Sequence, residues 1–237
     1  MIDSWASALI ENWEQKTSFL SARKALVDVS QIFEYLCRLG ADWGVNNAIL
    51  PHVYFATDRG ETAVSVNSFP RPSDSSFESY QSRVSTEHSS RSSLLYIRNA
   101  KPRSTSLRDE VERMLAPVWI SGLRWRRVEI ELYVGRYDWT AIGIHRETCA
   151  NVHHIVQGEK ELLTWPPHVL SPRADRPQCA VWGSATEAAR TGLLALADCT
   201  RTKAASGQAI YVPSGHWHVG VSKELSITVN LSLYGIR

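Results

Sequence analysis

IGIHRETCANVHHIVQGEKELLTWPP, residues 142–167, is the stretch on which the reading of this chain turns. Taken as a strand over 144–156, it puts alternate side chains on opposite faces. His145, Glu147, Cys149, Asn151 and His153 then share one side, and His154 points to the other. A row of polar groups makes a poor hydrophobic core. Buried polar groups need partners, and a metal with its co-ligands would supply them. His145-x-Glu147 offers one imidazole and one carboxylate to a common point. A second imidazole from another strand would complete a 2-His-1-carboxylate set, which holds Fe(II) and leaves positions open for other ligands. The natural donor is His218 in PSGHWHVGVS (213–222), where a turn at 213–215 would bring it back after the strand GQAIYV (207–212). A lone His-x-Glu arises often by chance as a histidine beside a solvated acid, so the case rests on several features occurring together.

Outward from this stretch the chain reads as β-rich. Val128, Ile130, Leu132 and Val134 alternate, and 208–213, 224–233, LLYIR at 94–98 and parts of 51–66 also read as strands. Helices are expected over 2–20 (Trp5, Leu9, Ile10, Trp13) and 29–39 (Val29, Ile32, Phe33, Leu36, Leu39), the second closed by Gly40. Ser106-x-x-Asp109 opens a helix over 107–115 that Pro117 should end, and Ser184-x-x-Glu187 opens another over 184–197, inserted between strands. Residues 67–93, rich in serine with Pro70 and Pro72, read as a long loop or lid. The expected fold is mainly β with flanking helices: a double-stranded β-helix (cupin or jelly-roll) barrel with N-terminal helices. The expected organisation is one domain over 1–237, with a helical annex at 1–50 and the barrel at 94–237.

Composition narrows the function. The net charge is only +2, and the densest basic run, Arg124-Trp125-Arg126-Arg127, is short and leads into a strand pattern. Nucleic-acid binding is therefore not expected. The four cysteines show no CxxC spacing, which argues against a zinc knuckle or a dithiol redox pair. The N-terminus carries early acids and no apolar core, and no apolar run approaches the ~20 residues of a membrane span. The expectation is a cytoplasmic protein with reduced thiols, either monomer or homodimer.

The motifs resemble those of the JmjC oxygenases of the cupin superfamily, which include asparaginyl and ribosomal-protein hydroxylases. The family pattern of His-x-Asp/Glu, a strand, Gly-x-Lys, and a hydrophobic stretch ending in Pro-Pro is matched by His145-Arg146-Glu147, Gly158-Glu159-Lys160 and Trp165-Pro166-Pro167. The third ligand follows a Tyr-x-Pro strand and a Trp, here Ile210-Tyr211-Val212-Pro213 and Trp217-His218, and the closing strand SITVNLSL carries Asn230. Upstream, Trp13-Glu14-Gln15-Lys16 and Leu95-Tyr96-Ile97-Arg98 resemble segments of the ribosomal-oxygenase-like members. Two departures stand out. The acid is Glu, and Ile142 or Gly143 stands where the family often has a Thr.

The resemblance implies Fe(II) and 2-oxoglutarate as cofactors, O₂ as co-reactant, and His145, Glu147 and His218 as catalytic metal ligands. Lys160 would pair with the distal carboxylate of 2-oxoglutarate, since a buried anion without a cation is too costly. Asn151 and Tyr96 would add hydrogen bonds to that carboxylate, and His153 would line the cosubstrate site. His216 reads as a packing residue. Arg98, on the face of Tyr96, could hold a substrate carboxylate. The expected substrate is an amino acid or amino-acid-derived small molecule, as in bacterial natural-product tailoring. The alternatives are a protein or ribosomal-protein side chain, or a cupin that binds metal without redox turnover.

Overall fold

A computed structural model describes residues 4–21, 27–43, 45, 51–100, 105–140, 143–170, 181–183 and 199–235. Its strands are β1 (Ser18–Leu20), β2 (His52–Thr57), β3 (Gly60–Thr62), β4 (Ser93–Arg98), β5 (Arg127–Tyr137), β6 (Ile144–His145), β7 (Ala150–Gln157), β8 (Glu159–Trp165), β9 (Val181–Gly183), β10 (Thr200–Ala205), β11 (Ala209–Val212) and β12 (Trp217–Tyr234). Helices α1 (Ser4–Glu11), α2 (Val29–Asp42), α3 (Phe77–His88) and α4 (Thr105–Ile120) accompany them. Every strand pair among the described residues is antiparallel.

The long strand β12 joins two sheets. Its first part, Trp217–Val221, pairs with β8, and at His218 with β6. After a register shift between Ser222 and Ser226, its second part pairs with β5 and β7. A bulge bends a strand and increases its twist, which lets one strand serve both walls. The larger sheet runs β1-β11-β7-β12-β5-β4-β2-β3, and the smaller one brings together β10, β8, β12, β6 and β9. Ile155, Leu162, Ala204, Ile210 and Val212, drawn from both sheets, form an apolar cluster between them. This is the expected mainly β cupin fold with flanking helices.

The outer face of the larger sheet is the main core. Leu132 and Val134 of β5 and Leu231 and Leu233 of β12 join Trp5 and Leu9 of α1, Ile32 and Leu36 of α2, Phe77 and Val84 of α3, and Val111 and Leu115 of α4. Each fully buried side chain of this size contributes about 1.5–3 kcal/mol. The opposite face of β5 is buried as well, and it carries Glu131, Tyr133 and Tyr137. Along β5 the barrel interior is therefore polar where the helix-covered face is oily.

Several expectations need correction. The helix expected over 2–20 ends at Glu11, and Ser18–Leu20 forms β1 on the edge of β11. Glu14 takes a left-handed φ of 53°, Trp13 stacks on Tyr211 at 5.6 Å, and the chain turns to pair an otherwise open sheet edge. The expected loop or lid at 67–93 is instead two 3-10 turns, α3 and the start of β4. Its serines act as caps: Ser76 accepts from the Ser79 amide, while Phe77, Tyr80 and Val84 bury one helical face. Arg83, bonded to Asp74 at 2.9 Å, ties the segment down. Pro117 does not end α4, which continues to Ile120 because Met114, Leu115 and Val118 are buried on either side of it. The helix expected at 184–197 lies outside the described residues.

Candidate metal centre

The strand expected over 144–156 is two strands in different sheets, and Glu147 sits in the break between β6 and β7. The side chains converge nonetheless. His145 ends β6 and lies directly across from His218 of β12, with ring centroids 4.3 Å apart. One donor atom from each of His145, Glu147 and His218 falls within 4.8 Å of the other two.

Both imidazoles are oriented in the same way. His145 Nδ1 lies 3.0 Å from the Gly143 carbonyl, and His218 Nδ1 lies 3.1 Å from the His216 carbonyl. A carbonyl can only accept, so each Nδ1 carries the hydrogen and each Nε2 keeps its lone pair for a metal. Burial, followed by the charge on His145, pushes His218 down to about 3, so the ring stays neutral as a ligand must. Burial alone would raise Glu147. The neighbouring His145 and His218 imidazoles and a hydrogen bond from Asn151 outweigh it and hold the carboxylate below its usual range. The Glu147 carbonyl accepts from the Gly215 amide at 2.7 Å, which ties the ligand loop to the turn before His218.

Asn151 Nδ2 donates to Glu147 Oε2 at 2.9 Å. Its Oδ1 accepts from Asn230 Nδ2 at 2.8 Å and Ser232 Oγ at 3.0 Å. Asn230 Nδ2 also reaches Glu131 Oε2 at 3.0 Å, and the Tyr133 hydroxyl donates to the same oxygen at 3.3 Å. Glu147 is therefore one end of a bonded chain that crosses the barrel.

Beside the histidines opens a small pocket lined by Tyr133, Thr140, His145, His153, Lys160, Leu162, His218 and Gly220. Lys160 is 1% exposed and its Nζ has no hydrogen-bond partner. The ammonium lies over the Tyr133 ring, 4.1 Å from the centroid. Burial pushes its pKa down to about 7, against a smaller upward pull from Glu131. Gly158 sets it there: φ is +76°, and a Cβ would stand 2.2 Å from the Leu225 carbonyl oxygen, so only glycine fits the β7–β8 turn. Gly220 makes room for it, since a Cβ there would meet Lys160 Cε at 3.0 Å and Thr140 Cγ2 at 3.3 Å. A buried cation without a partner, facing a cavity that adjoins three metal-ligand side chains, fits a bound anion. The donor set and Lys160 thus suit a metal and an acidic cosubstrate.

The remaining expected site residues fall in different places. His153 lines the cavity with both ring nitrogens unpartnered, and burial, then Lys160, holds its pKa well below the ordinary value. Asn151 is not on the cavity wall; its amide is committed to Glu147, Asn230 and Ser232. Tyr96 is also off that wall, its ring tilted against Tyr133 with centroids 4.6 Å apart, and Tyr133 takes the place beside Lys160. Arg98 is half exposed at the rim, 3.9 Å from Glu129. His154 is buried on the face of β7 away from the cavity, and His216 contributes its carbonyl to the orientation of His218.

Sequence reasoning missed Tyr133, Thr140 and Glu131. Thr140 lies five residues before His145 and bonds β12 through its amide to Gly220 at 2.9 Å, so the chain supplies a threonine upstream of the 142–143 positions where the family pattern places one. Tyr133 and Glu131 were legible as the polar half of the alternation Val128, Ile130, Leu132, Val134.

Comparison with known proteins agrees with this fold. Solved structures of YcfD from Escherichia coli superpose on the chain. One matches with a TM-score of 0.59 at 8% identity, covering 98% of this chain and 53% of the other. Another, described as the ribosomal oxygenase YcfD with cobalt and 2-oxoglutarate, matches with a TM-score of 0.56 at 8% identity, covering 99% and 52%. A third, with cobalt and succinic acid, has a TM-score of 0.55 at 10% identity and covers 99% and 52%. The chain therefore spans about half the length of these structures, and at such identity the likeness is one of fold. No curated protein matches the chain in sequence. The model of the cupin-like domain family matches residues 8–231, nearly the whole chain. With its His-Glu-His triad on a JmjC-like barrel, the chain belongs to the cupin-like domain family.

Proposed function

We propose that the protein is an Fe(II)- and 2-oxoglutarate-dependent oxygenase acting on an amino acid or amino-acid-derived molecule. The observation that carries this reading is Lys160: a buried ammonium without a partner, on the wall of the cavity that His145 and His218 also line. His145, Glu147 and His218 would hold the metal. Lys160 would meet the distal carboxylate of 2-oxoglutarate, with the Tyr133 ring beneath it and Leu162 and Thr140 enclosing it. When bound, iron and 2-oxoglutarate supply with O₂ the oxidising power for C–H oxidation, and 2-oxoglutarate leaves as succinate and CO₂. The protein orients these groups and excludes water. Arg98, loosely held by Glu129 at the rim, is suited to receive a substrate carboxylate.

The test is succinate release from 2-oxoglutarate with Fe(II), alone and across a panel of amino acids. Stimulation by a member of the panel supports the reading. Absence of succinate with and without the panel, despite metal binding, would favour a cupin without redox turnover. The likeness in fold to a ribosomal oxygenase favours a second reading, a protein side chain as substrate. Stimulation by peptides alone would select it.

A further inference from the structure

Glu131 has no place in the roles assigned so far. It stands on the inner face of β5 at 1% exposure, among Asn230, Tyr133 and Tyr96. Its partners are neutral donors, and among the described residues no Lys, Arg or His lies within ion-pair distance of it. Arg98 pairs with Glu129 at 3.9 Å, and Lys160, which Glu131 feels through charge alone, lies over the Tyr133 ring. A buried carboxylate left this way is costly unless a proton or an incoming cation neutralises it.

A second observation points to an incoming cation. Asn230 spends its Nδ2 on Glu131, Asn151 and Ser232, while its Oδ1 is buried without any donor. The same amide that touches Glu131 therefore presents an unused acceptor. A carboxylate beside an orphaned carbonyl asks for a group rich in N–H donors and carrying positive charge. The charge balance agrees, on the reading proposed above. With a divalent metal and a dicarboxylate bound, Lys160 offsets one of the two buried acids Glu131 and Glu147, and one negative charge is left over. Along β5, Glu131 lies between Glu129, which pairs with Arg98, and the cavity residue Tyr133.

We propose that Glu131, with Asn230 Oδ1, receives a positively charged nitrogen of the substrate, an ammonium or a guanidinium. The substrate class narrows accordingly to amines, such as free amino acids, or basic side chains. This inference rests on the oxygenase reading only for its charge balance.

The experiment measures binding, without turnover, to protein loaded with Zn(II) and 2-oxoglutarate. Calorimetric titration uses matched pairs of probes: L-amino acids against their 2-hydroxy-acid counterparts, and arginine peptides against citrulline peptides. At least one cationic member should bind tenfold or more tightly than its neutral counterpart. In Glu131→Gln that preference should shrink to within twofold, while Zn(II) and 2-oxoglutarate still bind. A preference that survives in Glu131→Gln overturns the proposal, and so does a panel in which no cationic member is preferred. Succinate release with Fe(II), measured separately, keeps the two readings apart. A charge preference without succinate leaves the Glu131 site standing and removes the oxygenase.

Discussion

The two ends of the barrel interior are built on opposite plans. At one end, Glu147 is supported by Asn151, and Asn151 by Asn230 Nδ2 and Ser232, through hydrogen bonds of 2.8–3.0 Å. At the other, Lys160 and His153 are as deeply buried, yet Lys160 Nζ and both His153 nitrogens lack partners. Buried polar groups are ordinarily satisfied, so a satisfied network reads as scaffold and an unsatisfied one as a place kept for a ligand. The contrast separates residues that aim a ligand from residues that wait for one.

The largest effect should come from the junction of the two ends. His145→Ala, Glu147→Ala and His218→Ala should each abolish tight metal binding, read by calorimetry or metal content, together with all turnover. His154→Ala should leave metal binding intact, because its side chain lies on the other face of β7. Metal lost in His154→Ala and kept in His218→Ala would break the assignment.

Next comes the unsatisfied end. Lys160→Ala should weaken 2-oxoglutarate binding by about 3–5 kcal/mol, roughly a hundredfold to a few thousandfold, while the metal still binds. Lys160→Met should do the same and also make the unliganded protein more stable, by about 1–3 kcal/mol, because it removes an unpaired buried amine. Chemical denaturation reads this, and a loss of stability in Lys160→Met would show that the ammonium has a partner in the fold.

A smaller effect is expected at the satisfied end. Asn151→Ala frees the Glu147 carboxylate from its support and should weaken metal affinity about 10–100-fold, with the 2-oxoglutarate requirement little changed at saturating metal. If it instead matched Lys160→Ala in cosubstrate binding, the division between the two ends would fail.

The mildest test is pH. Burial lowers Lys160 to about 7 in the folded state, so above that pH the free amine predominates. An anion pairs only with the ammonium, and its binding must then take up a proton. The 2-oxoglutarate affinity should therefore fall as pH rises above 7, by up to about tenfold per unit, and Lys160→Ala should remove this slope. By the same linkage the folded state without ligand should gain stability from Lys160 as pH rises from about 7 towards the unfolded value of 10.5, since the unfolded chain there binds more protons.

The sequence carried the triad further than its stated reason. His145, Glu147 and His218 converge, although the single strand expected to carry the first two is broken at 146–149. Motif spacing survives such a break because the site depends on where side chains arrive. Hydrophobic alternation located β5 but directed attention to its oily face, and so the polar face with Glu131 and Tyr133 went unread. The serines of 67–93 misled for another reason: serine favours caps as well as loops, and only the burial of Phe77, Tyr80 and Val84 decides between them. Asn151 was legible as a site residue, but its partners were not, because Asn230 and Ser232 reach it from a strand some eighty residues away.

That same distance governs how the molecule comes into being. β12 is the last strand among the described residues, yet it lies between β7 and β5 in the larger sheet and between β8 and β6 in the smaller one. Neither wall can close until it is in place, and most of its pairings link residues far apart in sequence, an arrangement that slows folding. On a ribosome the earlier strands would emerge with their central edges open, prone to mispairing until this segment arrives. Because His218 arrives with it, the ability to capture a metal ion should appear together with the finished barrel, making metal uptake a reporter of completed folding.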